Sequence, residues 1–583
     1  MKKVFSLLFV LVFVFTLISC NREKEDVTIL YTNDIHGYIA NTVKDSNNKE
    51  VPALRIDNIA GYKKKLKNEK KNVLLVDAGD EVQGSVYGAI DKGEEMIGIM
   101  NKAGYDLATP GNHDFDFGMD GFNRFVSTAN FKYISCNFKS IEKNKNVLDS
   151  SKIYTFGGTT IAFVGVTTPG TLTSSTPYFF QNDNGEFIYT FDGLSDKTKL
   201  YESVQKAVDE VRGKVDYVIG LGHLGVGIDE EKLGIRSIDV INNTTGFDAF
   251  IDGHSHTLIE KQMVKTRDNK ECLLTQTGYY LSGFGEMTIT KTGEISTKII
   301  NKVDEADSEV KKLEDKLISH VNTVLGEKIA TLNVPLYITN PVKSNQRLIR
   351  ARETNMGNFV PDSVYWYINE SKGLDCDIAF VNGGGIRDNL AHGDLTYLSA
   401  KTVEPFGNQI CVIKTKGINI KNALEMGLDV FDQWDTEWDS PAENGSFLQV
   451  AGMKFEADAS VKSSITLDEN SMFKSVDGDY RVKNIMVYNK TTKAYEPLDL
   501  DKEYTVGGIN YILRNGGGGL SMFSNSEVIL DYIIEDYMCL AEFMKAFDQA
   551  TVCNANTPLK GYDNYLFNYE NPSGSGRITL LNL

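Results

Sequence analysis

The sequence is poor in cysteine, in histidine and in positive charge. Its 583 residues include seven cysteines, none of them in a CxxC pair, so a metal site built from thiolates is not expected. The formal net charge of −18 argues against a nucleic-acid surface and shows no basic face for anionic lipid. A small phosphorylated substrate is not excluded, because a few local arginines can override the overall field.

A long hydrophobic run occurs at the N-terminus and is not repeated later. Two lysines precede an apolar run over residues 4–17, which ends in Leu-Ile-Ser-Cys and resembles a bacterial lipoprotein signal. This pattern predicts a signal peptide over 1–20, an exported protein lipid-anchored to the cell envelope through Cys20, and a polar tether over 21–26. The alternative is a plain secretory peptide in which Cys20 is incidental. The other six cysteines either pair or remain buried free thiols.

The bulk composition is that of a folded, globular protein. Hydrophobic residues make up 41% of the chain and charged residues 24%. Because 583 residues exceed what one hydrophobic core supports, the length predicts two large domains.

Five short apolar runs are followed at once by residues that can bind metals or transfer protons. Such runs, bounded by glycine and polar residues, are typical of buried strands, and the helical stretches between them predict an α/β layered domain. Since ligands bind where the strands of such sheets end, the five loops are expected to converge on one site. The loops are Asn33-Asp34-Ile35-His36, Asp77-Ala78-Gly79-Asp80, Gly111-Asn112-His113-Asp114, Gly222-His223 and Gly253-His254-Ser255-His256.

Five of the seven histidines lie in these loops. A single histidine there would more often be a hydrogen-bonded structural residue, but five in the same kind of position favour a functional site. Imidazole, carboxylate and amide ligands without thiolate suit zinc, manganese or iron. One metal needs about four ligands. The larger set predicts two divalent ions about 3.5–4 Å apart, an arrangement suited to phosphoester hydrolysis.

The order of these motifs resembles the signature of calcineurin-like metallophosphatases. More closely, the chain resembles the 5′-nucleotidase family, which includes periplasmic UDP-sugar hydrolases and animal ecto-5′-nucleotidases, over nearly all of residues 27–583. The resemblance implies an α/β protein with a four-layer α/β/β/α metallophosphatase domain over 27–303. A linker helix over 304–335 and a C-terminal α+β nucleotide-binding domain over 336–583 are expected to follow.

The resemblance also implies a role for each residue of the five loops. His113 would face the phosphoryl oxygens as half of a catalytic His-Asp pair, and Asp116 would orient and charge its imidazole. Asp114 would be structural. His256 stands where close relatives often have glutamine, an exchange that keeps a donor atom. The implied metal ligands are Asp34, His36 and His256 for the first ion, Asp80 as the bridge, and Asn112, His223 and His254 for the second.

Two segments of the second half predict a phosphate site. Arg350 opens the stretch Arg-Ala-Arg-Glu-Thr-Asn-Met-Gly-Asn, and Arg387 closes the stretch Asn-Gly-Gly-Gly-Ile-Arg. Arginine suits bidentate recognition of phosphate, and a glycine run lets the backbone approach a ligand closely. The resemblance implies that Arg350 and Arg387 grip phosphate and that Asn382 contacts the base, with Gly384 as a further substrate-binding position.

The match to the family weakens at the base pocket. Phe447 corresponds to a ring that stacks on the base in the family. Ile512 stands where a second stacking ring is expected, and Gly518 stands where the family has a ribose-binding aspartate. Tyr511 is the candidate replacement for the missing ring. Ile512 is retained as a substrate-binding position, but the identity of the substrate is left open.

Two charged stretches are interpreted as solvated helix surfaces. Residues 63–67 are rich in lysine, and residues 304–325 carry apolar side chains at helical spacing, which predicts a solvated linker helix. The apolar positions of the second stretch are Val310, Leu313, Leu317, Val321 and Val324.

The resulting prediction is a 5′-nucleotidase-type phosphoric monoester hydrolase that uses two divalent ions, such as zinc or manganese, and scavenges nucleotides outside the cytoplasm. Its partners are a nucleotide or related phosphate ester and a membrane, through the lipid anchor, but no nucleic-acid polymer. The enzymatic alternatives on this fold are hydrolysis of a UDP-sugar, a 2′,3′-cyclic nucleotide or a non-nucleotide phosphate. An inactive surface lipoprotein that binds metal or nucleotide is the alternative from another class, although the intact ligand set disfavours it.

Overall fold

The computed structural model describes residues 23–582 except 41, 45–49, 183, 342–345, 432–433, 436–439, 532, 548–550 and 553–568. The predicted signal peptide, Cys20 and the start of the predicted tether lie outside the described residues, as does Cys553. The other five cysteines are all buried and free, without a disulfide between them. Within the described part of the chain, no helix has both the length and the apolar character needed to cross a membrane.

Residues 23–26, predicted to be part of a free tether, lie along the surface of the first domain. Lys24 forms a β-bridge with Gly157, and its ammonium group is 2.7 Å from the Asp216 carboxylate. The Glu25 amide donates to Thr159 Oγ1 at 2.9 Å. The folded domain therefore begins before Val27, because the backbone of Lys24 and Glu25 and the side chain of Lys24 find partners on its edge.

Two six-stranded mixed sheets form the centre of the first domain. In spatial order the first sheet contains Ile295–Ile300, Phe284–Ile289, Val27–Thr32, Asn72–Asp77, Leu107–Ala108 and Lys132–Tyr133. The second contains Leu258–Lys265, Glu271–Thr277, Ala249–Ile251, Tyr217–His223, Thr159–Thr167 and Ser151–Phe156. Smaller pairings join Tyr189–Phe191, Phe138–Ser140 and Lys145–Asn146, and also Thr42–Lys44 and Glu50–Pro52.

The side chains of the central strands alternate between two cores. In Val27–Thr32, Ile29 and Tyr31 pack between the two sheets, whereas Leu30 packs under the helices that cover the first sheet. The second sheet alternates in the same way and is covered by Lys197–Arg212 and Ser237–Asn243. Because apolar side chains lie on both faces of each strand, each sheet is buried on both sides, and the predicted four layers are confirmed. The remaining helices are Ile56–Asn68, Val86–Ala89, Glu94–Ala103, Gly118–Thr128, Thr171–Ser174 and Ile228–Leu233, with 3₁₀ turns at His113–Phe115 and Pro177–Phe180.

The second domain is built around a five-stranded sheet. In spatial order its strands are Leu448–Ala451, Ile378–Asn382, Glu503–Ile509, Ile410–Lys416 and Glu527–Leu530. A three-stranded sheet contains Gly393–Thr396, Lys328–Leu332 and Thr551–Val552, and a four-stranded sheet contains Ala494–Pro497, Val482–Asn489, Met453–Asp458 and Ile578–Leu581. Two pairs of strands complete the description: Ile465–Leu467 with Phe473–Val476, and Trp434–Asp435 with Ser440–Pro441. Its α-helices are Asn355–Trp366, Tyr397–Val403, Gly417–Gly427, Asn510–Leu513 and Asp536–Ala546, and the first of them continues as a π-helix over Tyr367–Ser371. Short 3₁₀ turns lie at Leu348–Arg350, Gly517–Gly519 and Ser521–Phe523.

The helix Ser308–Leu325 is attached to the first domain rather than solvated. Leu317 is buried in the core beside Ile56–Asn68 and Glu94–Ala103, but Leu313 is 37% exposed. Glu314 is fully buried instead, and it accepts hydrogen bonds from the Ile56 amide at 2.9 Å and from Arg55 Nε at 3.2 Å. The stretch is helical as predicted, and Val310, Leu317 and Val321 are buried as the spacing implied. The helix packs on the first domain, however, so its interpretation as solvated is wrong, and Glu314 with its buried partners lies on the inner face where Leu313 was expected.

One lysine of the 63–67 stretch also departs from the predicted solvated surface. Lys63 is 4% exposed, and its ammonium group is 2.6 Å from the Asp106 carboxylate. Burial lowers the pKa of Lys63, but its ion pair opposes that effect. The remaining lysines of the stretch are exposed as expected.

The packing of Ser308–Leu325 gives a testable difference between two leucines on one helix. Leu317→Ala should lower the free energy of unfolding by about 2–5 kcal/mol, because it opens a cavity in a packed core. Leu313→Ala, the matched control, should change it by less than about 1 kcal/mol. Urea unfolding followed by circular dichroism measures both values, and equally small changes would mean that this helix does not pack on the first domain.

Candidate metal centre and substrate site

The residues that carry the candidate ligands have an uncommon backbone conformation. Non-glycine residues rarely adopt positive φ, because the Cβ atom approaches the backbone too closely. Such conformations concentrate at functional sites, where the surrounding structure holds them in place. Five candidate ligands have φ between 51° and 79°: Asp34, His36, Asp80, His254 and His256. Each follows the end of a central strand, so the turn aims its side chain across the edge of the sheets.

Glycine at position 79 allows these turns to approach one another. A Cβ atom added at Gly79 would lie 2.6 Å from the Gly111 nitrogen and 2.7 Å from His223 Nδ1. Gly79 itself has φ +94°, which also favours glycine. The glycine of the Gly79-Asp80 motif is therefore required by close packing of three loops, and it needs no contact with a ligand.

The side chains of the loops form two groups that could each hold a metal ion. Within each group the ligand atoms lie within 4.8 Å of one another. The first group is Asp34, His36 and His256, and the second is Asp80, His223 and His254. Asp80 Oδ2 is 3.7 Å from His36 Nε2 and 3.1 Å from His223 Nε2, so this carboxylate reaches both groups. The arrangement places Asp80 where a bridging ligand would lie.

Backbone carbonyl groups orient two of the imidazoles. His36 Nδ1 is 2.6 Å from the Gln83 carbonyl oxygen, and His223 Nδ1 is 2.7 Å from that of Ala78. A proton on Nδ1 would be donated to each carbonyl, which leaves Nε2 as the lone-pair donor, as metal-binding histidines require.

The remaining atoms of the centre fit a divalent cation. Asn112 Oδ1 is buried without a hydrogen-bond partner among the described residues. His36 Nε2 and His256 Nε2 face each other at 3.0 Å. A buried acceptor without a donor is costly, and a cation would satisfy these lone pairs together. The donor set of imidazole, carboxylate and amide suits zinc or manganese.

Electrostatics keep His36, His256 and Asp80 in the form that binds cations. Burial lowers the pKa of His36 and of His256 well below 6.5, so both imidazoles remain neutral. Burial by itself raises the pKa of Asp80, but the imidazoles of His223 and His113 lower it well below 3.8 overall. The centre therefore offers neutral imidazoles at His36 and His256 and an ionised carboxylate at Asp80 near neutral pH. Burial by itself lowers the pKa of His223, but the carboxylates of Asp80 and Asp34 raise it to about 10, so a bound cation would take the place of its proton.

His113 and Asp116 are in direct contact, as the resemblance implied. His113 Nδ1 is 2.6 Å from Asp116 Oδ2. Burial lowers the pKa of His113, but the carboxylates of Asp116 and Asp80 raise it above 6.5 overall. Asp114 instead accepts hydrogen bonds from the Gly111 amide at 2.7 Å and the Asp80 amide at 3.0 Å. Asp114 thus holds together the loops of Asp80 and Gly111, and it does not contact the His113 imidazole.

Arginines of the second domain lie opposite the metal centre. The guanidinium of Arg387 lies 5.5 Å from the centre of the Phe406 ring, which stacks on the His113 ring at 5.5 Å. Burial, with the nearby charges of Arg347 and Arg387, lowers the pKa of Arg350 well below 12.5. Neither Arg350 nor Arg387 forms an ion pair with a carboxylate in the described part of the chain. Both cations are thus available to an anion.

The sequence interpretation missed a third arginine, Arg347. Its guanidinium Nε is 2.7 Å from Glu443 Oε2, and its positive charge lowers the pKa of His256. Arg347 precedes the 3₁₀ turn Leu348–Arg350, so it lies close to Arg350. The spacing of two arginines three residues apart was the available signal.

Two further features near the centre also escaped the sequence interpretation. Glu230 Oε1 is 3.3 Å from His254 Nε2. The rings of Tyr38 and Tyr280 stack at 3.9 Å, and Tyr279 stacks on His256 at 4.8 Å. An acidic helix and a Tyr-Tyr pair carry no local signal of function, because only the fold brings them to the metal ligands.

The segments predicted to bind the nucleoside meet in the second domain. Asn382 Nδ2 and the Gly384 amide both donate to the Gly445 carbonyl at 2.9 Å, and Asn382 Oδ1 is buried without a partner among the described residues. Phe447 is 2% exposed and Ile512 is fully buried, so both pack into the core of this domain. Their contact with a base stays a prediction.

The space beside Gly518 is occupied by the side chain of Ser446. Ser446 Oγ donates to the Gly518 carbonyl at 3.2 Å, and a Cβ atom added at Gly518 would collide with that hydroxyl. Gly518 also has φ +64°. An aspartate at this position would displace Ser446, so the exchange involves more than one side chain. Tyr511, the candidate replacement ring, directs its hydroxyl to the carbonyls of Thr173 and Ser174 in the first domain.

Two family models match the chain, one in each domain. The model for calcineurin-like phosphoesterases matches residues 27–258, and the model for the 5′-nucleotidase C-terminal domain matches residues 328–525. Together with the two ligand groups, the first match defines a metal-dependent phosphoesterase of the calcineurin-like class.

Known proteins resemble the chain across both domains. It is 27% identical over 547 residues to the 5′-nucleotidase of Bos taurus, which covers 86% of this chain and 85% of that protein. It is 26% identical over 564 residues to a trifunctional nucleotide phosphoesterase protein of Bacillus subtilis, covering 89% of this chain but 34% of that longer protein. The structure of a 5′-nucleotidase precursor from Thermus thermophilus matches 96% of this chain and 100% of its own with a TM-score of 0.72 and 25% identity. The chain belongs to the 5′-nucleotidase family and is a phosphoric monoester hydrolase.

The position of Asp80 between the two ligand groups predicts a shared loss of both metals. Asp80→Asn should lower the bound metal from two ions per chain and reduce kcat about 100-fold or more, because one charged oxygen donor is lost from each site. Asp120→Asn, on the exposed face of Gly118–Thr128, is the matched control and should retain both ions. Metal content by mass spectrometry and hydrolysis of p-nitrophenyl phosphate measure the two effects. Two ions with normal kcat in Asp80→Asn would exclude the bridging role.

Proposed function

We propose that the protein removes the 5′-phosphate from nucleotides outside the cytoplasm, with two divalent metal ions and with His113 at the phosphoryl group. The observation that carries the proposal is the pair of arginines without carboxylate partners, Arg350 and Arg387, which faces the metal centre from the second domain. Cationic and metal-binding side chains on opposite sides of one space suit a phosphate ester, whose two ends differ in chemistry.

The first domain would carry out the chemical step. Its ions, when bound, supply Lewis-acid stabilisation of charge on phosphoryl oxygens. Asp116 accepts at Nδ1 of His113, which leaves Nε2 of that ring to donate to a phosphoryl oxygen. The raised pKa of His113 favours the doubly protonated ring, whose charge would stabilise the transition state. The residues that would hold the ions are Asp34, His36 and His256, the bridging Asp80, and Asn112, His223 and His254.

The second domain would position the substrate. Arg350 and Arg387 would bind phosphate oxygens through charge-assisted hydrogen bonds. Asn382, with Gly384 beside it, would present an unpaired amide oxygen to the base. Phe447 and Ile512 would form the apolar wall of this pocket.

A broader substrate range is the second candidate function. Ile512 replaces an expected aromatic ring and Gly518 an expected aspartate, so fewer groups would select for a nucleoside. The tyrosines stacked beside the metal ligands, Tyr279 and Tyr280, would offer an aromatic surface to another leaving group. This arrangement favours a UDP-sugar or a 2′,3′-cyclic nucleotide as the competing substrate.

The proposed location follows from the first residues of the chain. An apolar segment that ends in Leu-Ile-Ser-Cys suits export and acylation of Cys20. A hydrolase held at the cell envelope would convert nucleotides into nucleosides, which lose their phosphate charges before uptake.

The phosphate role of the arginines predicts a defect shared by all phosphate esters. Arg350→Ala and Arg387→Ala should each raise KM about 10- to 100-fold, because a charge-assisted hydrogen bond contributes about 1.5–3 kcal/mol. The increase should be similar for AMP and p-nitrophenyl phosphate, since both carry the phosphate. Arg514→Ala is the control, because Arg514 pairs with Asp531 at the surface. Unchanged KM values in both variants would remove the proposed clamp.

The base pocket predicts a defect confined to nucleosides. Phe447→Leu keeps an apolar side chain in the core but removes the ring, and a stacking face contributes about 0.5–1.5 kcal/mol. The kcat/KM for AMP should therefore fall about 2- to 12-fold, with a much smaller change for p-nitrophenyl phosphate. The same panel, extended to UDP-glucose and 2′,3′-cyclic AMP, ranks the alternative substrates. Equal decreases for AMP and p-nitrophenyl phosphate would mean that no base stacks on Phe447.

A further inference from the structure

We infer that Ser175 is a positioning residue for Asp116, and that Tyr511 of the second domain holds Ser175 in place. The inference rests on the proposed function, because it concerns the carboxylate that orients His113. It adds a physical connection between the domain that would bind the nucleoside and the imidazole that would face the phosphoryl group.

The first step of the connection is a pair of hydrogen bonds at one carboxylate. Asp116 Oδ2 is 2.6 Å from His113 Nδ1, and Asp116 Oδ1 accepts from Ser175 Oγ at 2.8 Å. Because each oxygen has its own partner, the plane of the carboxylate is set by Ser175 as well as by His113. Ser175 is 1% exposed, so water does not compete readily for its hydroxyl.

The second step places Ser175 at the end of a short helix. Thr171–Ser174 ends at Ser175, whose amide donates to the Thr171 carbonyl at 3.1 Å. Its hydroxyl donates to Asp116 Oδ1, which lies outside this helix. Ser175 is therefore poorly explained as a capping residue alone.

The third step is a contact from the second domain. The last carbonyls of a helix lack partners within the helix. Tyr511 Oη lies 3.2 Å from the Thr173 carbonyl oxygen and 3.3 Å from that of Ser174, and its proton can be donated to either. The peptide group that carries the Ser174 carbonyl also carries the amide of Ser175, so the contact acts directly on the backbone of the positioning residue.

Tyr511 lies among the segments that would bind the nucleoside. It belongs to the helix Asn510–Leu513 with Ile512, and its ring packs against Gly517, next to Gly518. A shift of these segments would be transmitted through Tyr511 to the turn of Ser175. Small displacements of a catalytic group have large effects on rate, because the reacting geometry is narrow.

The inference predicts changes in kcat that are coupled between two domains. Ser175→Ala should lower kcat for AMP about 10-fold, which matches the loss of one hydrogen bond to a charged group. Its KM should change less than about 2-fold and its metal content should not change, because phosphate and metals have other partners. Tyr511→Phe should lower kcat about 3-fold. The double variant should be no slower than Ser175→Ala, because the two side chains act through one carboxylate.

Two variants with similar chemistry elsewhere are the controls. Ser363→Ala removes a buried hydroxyl that donates to the Val360 carbonyl, and Tyr480→Phe removes a hydroxyl that donates to Asn422. Both changes lie in the second domain away from these contacts and should leave kcat unchanged.

Steady-state kinetics of six variants separate the possible outcomes. If His113→Ala leaves kcat unchanged, the proposed function fails. If His113→Ala lowers kcat but Ser175→Ala does not, or if Ser175→Ala changes KM alone, the positioning role is overturned. If the decreases in kcat of the two single variants multiply in the double variant, the proposed role of Tyr511 in holding Ser175 is overturned. If Ser175→Ala does not fold, a normal kcat in Tyr511→Phe overturns the connection, and a reduced kcat with unchanged metal content supports it.

Discussion

The burial of negative carboxylates among imidazoles at the ends of the central strands is the constraint on which the rest of the structure depends. Asp34 and Asp80 are almost completely buried, and a buried charge is stable only when it is paired. The backbone accepts left-handed turns at five ligands and a close approach at Gly79 to bring the donors together. This strain concentrates where the donor atoms converge, as expected for a site that cations complete.

The second domain supplies the opposite charge. Arg350 and Arg387 lie close enough for Arg387 and Arg347 to lower the pKa of Arg350, an unfavourable arrangement until an anion is present. Glu443 pairs directly with Arg347, and its effect on Arg350 is too small to reverse the lowered pKa of that guanidinium. A phosphate ester would relieve the repulsion among the arginines, because its oxygens accept hydrogen bonds from them. The same oxygens would approach the metal ligands. The electrostatics of the two domains are therefore complementary through the substrate.

The sequence predicted most of the candidate metal centre because its signal is local. A strand and the loop after it lie within ten residues, so an apolar run followed by Asp, Asn or His identifies a candidate ligand without knowledge of the fold. Glu230, Ser175 and Tyr280 have no such signal, since their partners lie far away in sequence. The inner face of Ser308–Leu325 was predicted only in part for a related reason, since Val310, Leu317 and Val321 are buried but Leu313 and Val324 are exposed. Glu314 replaces an apolar residue on the inner face because Arg55 and the Ile56 amide satisfy its charge, which helical spacing does not reveal.

The proposed base pocket was the hardest part to predict, because its departures from the family pattern depend on one another. Gly518 alone suggests a lost contact to ribose, but Ser446 occupies the space that a side chain there would need. Tyr511 alone suggests a displaced stacking ring, but its hydroxyl contacts the first domain. The segment that the family resemblance assigns to the nucleoside thus also contacts the turn that carries Ser175. Substrate choice and the orientation of Asp116 would then change together when this segment changes, even though the metal ligands stay the same.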